Sequence, residues 1–488
     1  SKEAVLPALG KAVTRMRREL GESLASIERY DAPIEEATTT SLEALKAFSM
    51  GDRERARGGD EAGVPFFERA LELDPNFASA HAYLATALNN MGGQRARVEE
   101  HRERAFELRD RVSERERFYI EAHYHRTITG DIGKNIEIYE MWSKTYTRDW
   151  TPANNLCVQY LTMGQYDKAV ERGRRAVELM PDHIFPYMNL GFSFLGQGRI
   201  DEAKSTLERS VERGFDSDLT RLGLWSIALL EADEAAAKEH ADWVTGRVGE
   251  GRFRMVQGLA AAQLGKRREA LALFEEAAAA DRRDGLAGRA ANDLARAAQM
   301  ESWMGNAAEA RRLTAEALAA GRSRNAGLFA ASALANAGDV AAAEDLLDEI
   351  EGRNPETDQL FWEWYAPETR ADIAIAKGNP ELALELLEGT RPYELRWLYP
   401  IDFRARAYLA AGEGMEAVAE FERVIAARTI NPAHPIHATA LLGKARGHAL
   451  AGDTNAARAA YNDFLTLWRD ADPDIPLLQQ ARAELDAL

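Results

Sequence analysis

The sequence predicts an all-α fold in which about twelve helix-turn-helix units are stacked one on the next. The first observation is a ladder of turn residues, in which Gly130, Gly164 and Gly198 are 34 residues apart. The ladder continues forward through Ala232, Gly265, Gly305, Gly338, Gly378, Gly412 and Gly452, and backward through Gly92 and Gly58. The second observation is an alanine five residues after each turn residue from Gly164 onward, at Ala169, Ala203, Ala237, Ala270, Ala310, Ala343, Ala383, Ala417 and Ala457. The third is the lack of alternating β-branched runs bounded by hairpin turns, so we expect essentially no sheet.

Each unit is predicted to contain two short helices. Glycine favours the left-handed conformation that ends the first helix, and the small alanine allows the second helix to pack closely. Bulkier residues such as Leu207, Phe274 and Phe421 fill the space between the helices. Units close at prolines such as Pro75 and Pro181, because proline has no amide hydrogen to continue a helix. We place the repeats at residues 41–473.

The two ends lie outside the ladder. Residues 1–40 show apolar residues at helical spacing and then a break at Asp31 and Pro33, which predicts an N-terminal helix and a linker. Residues 474–488 predict a C-terminal capping helix with Asp474 as its N-cap.

Composition excludes several classes of function. The net charge is −18, from 61 Lys and Arg against 79 Asp and Glu, which disfavours nucleic acid as a partner. A single cysteine excludes a disulfide framework and all-cysteine metal sites. No stretch reaches the ~20 apolar residues of a membrane span, so we expect a soluble chain that does not insert into a membrane. The opening Ser1-Lys2-Glu3 lacks methionine, so we expect the chain to come from a longer polypeptide.

The repeat pattern resembles the tetratricopeptide repeat (TPR). The match is strongest over residues 150–217, where small, aromatic and proline residues of the motif stand at Tyr160, Gly164, Tyr166, Ala169, Ala176 and Pro181. The resemblance implies a right-handed superhelix whose concave groove, lined by the first helices, binds protein or peptide partners.

A narrower resemblance rests on the segments ALGKAVTRMRRELGESLASIERYDAPIEEATTTSLEALKAFSMG, FFERALELDPNFASAHAYLA and YNDFLTLWRDADPDIPLLQQARAEL. These are similar to the C-terminal region of bacterial receptor-type serine/threonine protein kinases, especially those of acidobacteria. Similar segments also follow DNA-binding or TolB-like domains in bacterial regulators. The resemblance implies a catalytic or output domain upstream, often with one membrane helix, and a sensory or scaffolding role for this chain. The location is therefore left open between an extracytoplasmic part of a membrane-tethered protein and the cytoplasm.

The sequence predicts no catalytic residue, cofactor site or metal site. A kinase needs a Gly-rich loop, a His-Arg-Asp loop and Asp-Phe-Gly, and none is found here. His123 and His125 are two apart on a helix and point to different sides, and we place His434 and His437 in a surface loop. Asp470, Asp472 and Asp474 imitate a calcium loop, but Ile475 and Ala481 stand where its glycine and last ligand belong. Cys157 is predicted to be a buried structural thiol.

The candidate binding residues come from the TPR resemblance. In that family an asparagine of the first helix often bonds the backbone of an extended peptide, and Asn155 and Asn189 match this position in adjacent repeats. The predicted groove residues are Asn154, Asn155, Val158, Phe185, Met188, Asn189, Phe192, Glu121 and Tyr124. The alternative interpretation is that the asparagines only satisfy groups of their own chain.

A second candidate surface is aromatic, with Phe361, Trp362, Trp364 and Tyr365 followed by Tyr393, Trp397 and Tyr399. We favour core packing for these rings, because the long repeats need large side chains to fill them. The leading prediction of function is a non-catalytic interaction module of a bacterial signalling kinase. The alternatives are the TPR arm of a transcriptional regulator and an oligomerisation spacer that self-associates.

Overall fold

The computed structural model describes residues 11–12, 15, 39–92 and 95–488. The described part contains 26 α-helices and no β-strand, which confirms the predicted all-α class. Most of the predicted N-terminal helix and linker at residues 1–40 lies outside the described residues.

Twelve consecutive pairs of helices form the repeats. They are α1 Leu42–Gly58 and α2 Asp60–Leu73; α3 Ala78–Met91 and α4 Arg95–Glu107; α5 Glu114–Thr127 and α6 Ile132–Thr145; α7 Trp150–Thr162 and α8 Tyr166–Leu179; α9 Ile184–Gly196 and α10 Ile200–Glu212; α11 Asp218–Glu231 and α12 Glu234–Val244. They continue with α13 Glu250–Gln263 and α14 Arg267–Arg283; α15 Ala287–Trp303 and α16 Ala307–Ala320; α17 Arg324–Asn336 and α18 Val340–Glu351; α19 Ala366–Ala376 and α20 Pro380–Glu388; α22 Tyr399–Ala411 and α23 Gly414–Ala426; α24 Ile436–Leu450 and α25 Thr454–Leu467. The short α21 Glu394–Trp397 precedes the eleventh pair, and α26 Pro476–Asp486 follows the last.

The turn ladder has the predicted geometry with one correction. Every turn residue from Gly92 to Gly452 has a positive φ, including Ala232 at 56°. At Gly164 the next amide, that of Gln165, donates to the Tyr160 carbonyl at 2.8 Å, which ends the first helix in a Schellman motif. The prediction of Gly58 as a turn residue is wrong, because Gly58 is the last residue of α1 and Gly59 has the positive φ of 90°.

The alanines five residues after the turns lie in the core, as predicted. All are fully buried or 1 % exposed except Ala237, which is half-buried. Phe361, Trp364, Tyr393 and Tyr399 are buried as well, which confirms core packing for these rings of the aromatic segments.

Two details at the C-terminal end differ from the prediction. Ile475, not Asp474, is the N-cap of α26, because Pro476 is the first residue of that helix. The Asp474 carboxylate instead accepts a hydrogen bond from Arg268 at 2.9 Å. His434 and His437 are 3 % and 6 % exposed and do not lie in a surface loop. Their rings hydrogen-bond the Tyr399 hydroxyl and the Ile430 carbonyl, because polar groups buried by this segment need partners.

The chain divides into two compact units. Unit 1 comprises the described residues of Ser1–Leu156 with Ala176–Phe185 and Gly214–Asp216; unit 2 comprises Cys157–Arg175, Pro186–Arg213 and Ser217–Leu488. An aromatic cluster packs the first repeats of unit 1, where the Phe48 ring lies 5.0 Å from both Phe77 and Tyr83.

In unit 2 one apolar core joins distant parts of the chain. It contains Leu294 and Leu313 together with Leu442, Phe464 and Ile475. Residues 468–477, called here the C-terminal contact segment, bond to earlier turns. The Trp468 indole donates to the Gln263 carbonyl at 3.0 Å, and the Leu477 amide donates to the Met304 carbonyl at 3.1 Å.

Candidate partner-binding surfaces

Asn155 of unit 1 is half-buried on α7, and both the nitrogen and the oxygen of its side-chain amide already make a hydrogen bond. Its Nδ2 donates to the Tyr139 hydroxyl at 2.9 Å, and its Oδ1 accepts from Asn154 at 3.1 Å. The side-chain amide has two donor hydrogens and two acceptor positions, so these bonds use one of each. The two contacts fix the orientation of the amide and leave it capacity for one further donor and one further acceptor contact.

Tyr124 belongs to a mixed aromatic and charged surface on α5. The Tyr124 ring stacks on the Phe106 ring with centroids 3.8 Å apart. The Arg109 guanidinium lies 3.9 Å from the centroid of the same Phe106 ring. Glu121 lies 3.8 Å from Arg109 and 3.9 Å from Arg117, at the long limit of an ion pair. These five half-buried or exposed residues are called the α5 patch.

The second half of α5 is open compared with α3, the first helix of the preceding repeat. Residues 123–126 are all half-buried, whereas the equivalent residues 85–88 of α3 are buried. The α5 face thus presents partly exposed side chains over about one helical turn.

Asn154 and Phe185 lie in the interior of unit 1. Asn154 is 6 % and Phe185 8 % exposed. The Arg55 guanidinium covers the Phe185 ring at 4.6 Å and is held by Asp60 at 2.6 Å. A partner could touch these two side chains only after a rearrangement.

The predicted binding residues of unit 2 also include both partly exposed and buried side chains. Val158 and Phe192 are half-buried, whereas Met188 and Asn189 are each 8 % exposed. The backbone carbonyl of Asn189 accepts from the Ser193 hydroxyl at 2.7 Å. The structure thus leaves Val158 and Phe192 accessible and places Asn189 in the interior.

Cys157 is a buried structural thiol, as predicted. Its side chain has no exposed surface, and its Sγ lies 3.3 Å from the Ser193 hydroxyl. Burial raises the pKa of the thiol to about 12, so the reactive thiolate is scarce at neutral pH.

Sequence reasoning did not find a polar network on the first helices of unit 2. The backbone amide of Ile436 donates to His434 Nδ1 at 3.2 Å, so the hydrogen of a neutral His434 ring is on Nε2. His434 Nε2 lies 3.0 Å from the Tyr399 hydroxyl and donates to it. The Tyr399 hydroxyl in turn donates to the side-chain Oε1 of Gln299 at 3.3 Å. Gln299 and Tyr399 are 100 residues apart, which is why no repeat spacing reveals the contact.

The network continues through two more first helices, α17 and α19, and returns to α22. The Gln299 amide donates to Ser332 at 3.3 Å, and the Ser332 hydroxyl donates to the Asp372 carboxylate. Arg406 pairs with Asp372 at 2.8 Å and donates to Asn336 at 2.7 Å. Side chains of the same chain therefore join the first-helix faces of α15, α17, α19 and α22.

Two carboxyl groups beside this network have strongly raised pKa values. Desolvation by burial, together with the charge of Asp372, raises the pKa of Glu368 to about 8, against a smaller opposing effect of the Trp364 indole. Burial also raises the pKa of Asp402 to about 7, although Arg406 opposes the rise. Both groups carry protons at a pH where exposed carboxyl groups have lost them.

No helix of the described residues is both long and apolar enough to cross a membrane.

The chain is similar to known proteins in part of its length. The tetratricopeptide repeat family matches residues 404–474. BBS4, a member of the BBSome complex of Bos taurus, is 34% identical over 96 residues, which are 19% of this chain and 18% of that protein.

Two solved structures share low similarity with most of the chain. The APC/C hetero-tetramer Cut9-Hcn1 matches with a TM-score of 0.34 and 12% identity, covering 90% of this chain and 95% of the other. Yeast Tom70 matches with a TM-score of 0.27 and 14% identity, covering 91% and 95%. The described residues thus form an all-α array of twelve helix pairs with left-handed turns, and residues 404–474 match the tetratricopeptide repeat.

Proposed function

We propose that this chain is a non-catalytic interaction module that binds an extended segment of a partner protein across the first-helix face of unit 1. The α5 patch and the amide of Asn155 are the binding elements. The observation that carries the proposal is the run of half-buried residues at 123–126, at positions whose equivalents in α3, residues 85–88, are buried.

The chemistry of the α5 patch suits a peptide that carries an aromatic or apolar side chain next to an acidic one. The stacked rings of Phe106 and Tyr124 offer a flat apolar surface. Among the described residues, the Glu121 carboxylate is the ion-pair partner of both Arg109 and Arg117, at 3.8 and 3.9 Å, so a peptide carboxylate gains a charge-assisted contact there.

The wider role is that of a sensory or scaffolding C-terminal region in a bacterial signalling serine/threonine kinase. This part of the proposal rests on the resemblance of the two end segments and of residues 66–85. The acidic net charge of −18 suits a protein partner better than nucleic acid.

The test is a selection of random peptides displayed on phage against the full chain. Selected peptides are then measured by calorimetry with the wild type and with two variants, Tyr124→Ala and Asn155→Ala. We expect each variant to weaken binding by about tenfold or more, because hot-spot contacts contribute over ~1.4 kcal/mol. Asn325→Ala, at an exposed position of unit 2, is the matched control and should bind like the wild type.

Circular dichroism of each variant establishes that its helices are intact. Peptides that bind the wild type and both variants equally would exclude this surface, and failure to select any peptide would reject the proposed function.

The alternative function, an oligomerisation spacer, is favoured by a different observation. Leu382, Met415 and Leu450 are 41 %, 53 % and 49 % exposed and lie within four residues of the turns of three successive repeats. Exposed apolar residues at such an edge are typical of association surfaces. Analytical ultracentrifugation over a hundredfold concentration range decides the point: a spacer self-associates, and Met415→Ser reduces that association, whereas the proposed module stays monomeric.

A further inference from the structure

Two histidines of the second repeat face each other across its helix pair. His81 lies on α3 and His101 on α4, and their Nδ1 atoms are 2.9 Å apart. His81 is 8 % exposed and His101 is half-buried, so one side of the pair is open to solvent. No short sequence motif contains this pair, because twenty residues and a turn separate the two positions.

The outer nitrogen of His81 determines its tautomer. His81 Nε2 lies 3.0 Å from the backbone carbonyl of Pro75, and a carbonyl can only accept, so Nε2 carries the hydrogen. In the neutral ring Nδ1 therefore presents a lone pair toward His101. Backbone carbonyls orient metal-binding histidines in the same way.

Burial favours the neutral form of both imidazoles, which is the form that binds a metal. Burial lowers the pKa of His81, and burial together with the neighbouring His81 lowers the pKa of His101 to about 4. Among the charged neighbours, Arg104 lowers the pKa of His81 and Arg97 lowers that of His101, whereas the exposed carboxylate of Glu100 raises both.

We propose that His81 and His101 form a two-histidine site for a divalent transition metal of the Ni²⁺ or Cu²⁺ class. With metal–nitrogen bonds of about 2.05 Å, a 2.9 Å separation of the nitrogens corresponds to an angle of about 90° at the metal. That angle belongs to square-planar and octahedral coordination, whereas tetrahedral Zn²⁺ needs about 3.3 Å. No group of three or more candidate ligands occurs in the described residues, so water completes the coordination.

The test is calorimetric titration of the untagged, chelator-treated full chain with NiCl₂ and with CuCl₂ at pH 7.5. We expect one equivalent to bind to the wild type. His101→Ala should weaken that binding by more than about tenfold, since even the loss of an outer-shell partner costs 10–100-fold. His448→Ala, which changes an isolated histidine of unit 2, should bind like the wild type.

A second variant separates metal binding from structure. His101→Gln keeps a side-chain donor for His81 Nδ1 but removes the imidazole, so it should keep the melting temperature of the metal-free chain and lose the metal. Electron paramagnetic resonance of the Cu²⁺ complex should show two nitrogen ligands in the wild type and fewer in His101→Gln. Equal metal affinity of wild type and His101→Gln would overturn the proposal and leave a hydrogen-bonded histidine pair.

Discussion

The buried carboxyl of Glu368 makes the stability of unit 2 depend on pH in an unusual direction. Its pKa is raised from 4.5 to about 8 by burial and by the charge of Asp372, and its Oε1 has no hydrogen-bond partner among the described residues. The folded chain therefore prefers the protonated acid. The contribution of this group to stability is complete below pH 4.5 and is lost as the pH rises to about 8.

The substitution Glu368→Gln isolates the effect, because glutamine has nearly the same shape and does not ionise. A change in pKa from 4.5 to about 8 corresponds to at most about 5 kcal/mol at about 1.4 kcal/mol per pKa unit. We expect the variant and the wild type to have similar stability near pH 4.5. Above pH 8 the variant should be more stable, by about 2–5 kcal/mol.

The assay is urea unfolding followed by tryptophan fluorescence between pH 4.5 and 9. Hydrogen exchange of peptides from residues 361–376 adds a local measure, since repeat proteins open in parts. The quantity to compare is the difference between variant and wild type at each pH, because other carboxyl groups change the absolute stability of both. Glu385→Gln, at an exposed position of α20 in the same repeat, is the control and should show no pH-dependent difference.

Two outcomes would refute the reasoning. One is a difference between Glu368→Gln and wild type that stays constant from pH 4.5 to 9. The other is a variant that is less stable than the wild type at pH 9, which would mean that the ionised Glu368 has a stabilising partner.

Four further predictions concern packing and reactivity. Phe421→Ala should lower the unfolding free energy by about 3–5 kcal/mol in urea titrations, since the Phe421 ring is 2 % exposed. Gly443→Ala should lower the unfolding free energy by about 1–3 kcal/mol, because the added Cβ would lie 2.2 Å from the Phe421 ring. Trp468→Ala should speed hydrogen exchange of residues 468–477 and leave residues 42–91 unchanged, because the indole bonds the Gln263 carbonyl at 3.0 Å. Cys157 should not react with a disulfide reagent at pH 8 until urea unfolds the chain, since the thiol has no exposed surface.

The sequence predicts the local features of the fold because each depends on a few neighbouring residues. A left-handed turn needs glycine or another residue that tolerates a positive φ, and close helix packing needs a small residue at a fixed offset. Gly164 and Ala169 therefore stand where the structure has a turn at φ 64° and a fully buried contact. The errors at Gly58 and Asp474 are shifts of one residue, the usual uncertainty at helix ends.

The contacts between distant repeats could not be predicted in this way. Tyr399 meets Gln299 across 100 residues, and Trp468 meets Gln263 across 205. Such pairs depend on how small rotations between successive repeats add up along the chain, and no periodic spacing encodes that sum. The prediction of a surface loop at His434 is wrong because of a contact with the neighbouring repeat: its ring lies 3.0 Å from the Tyr399 hydroxyl, 35 residues away.

These long-range contacts also bear on where a partner can bind. In unit 2 the first-helix faces of α15, α17, α19 and α22 bond to one another, so a peptide there would have to replace hydrogen bonds such as that of Arg406 to Asn336 at 2.7 Å. Leaving buried charged groups without partners costs several kcal/mol, which opposes such replacement. On α5 no comparable exchange is needed, because Tyr124 is half-buried and Glu121 is only loosely paired. A peptide therefore binds at lower energetic cost on α5 than in the unit 2 interior.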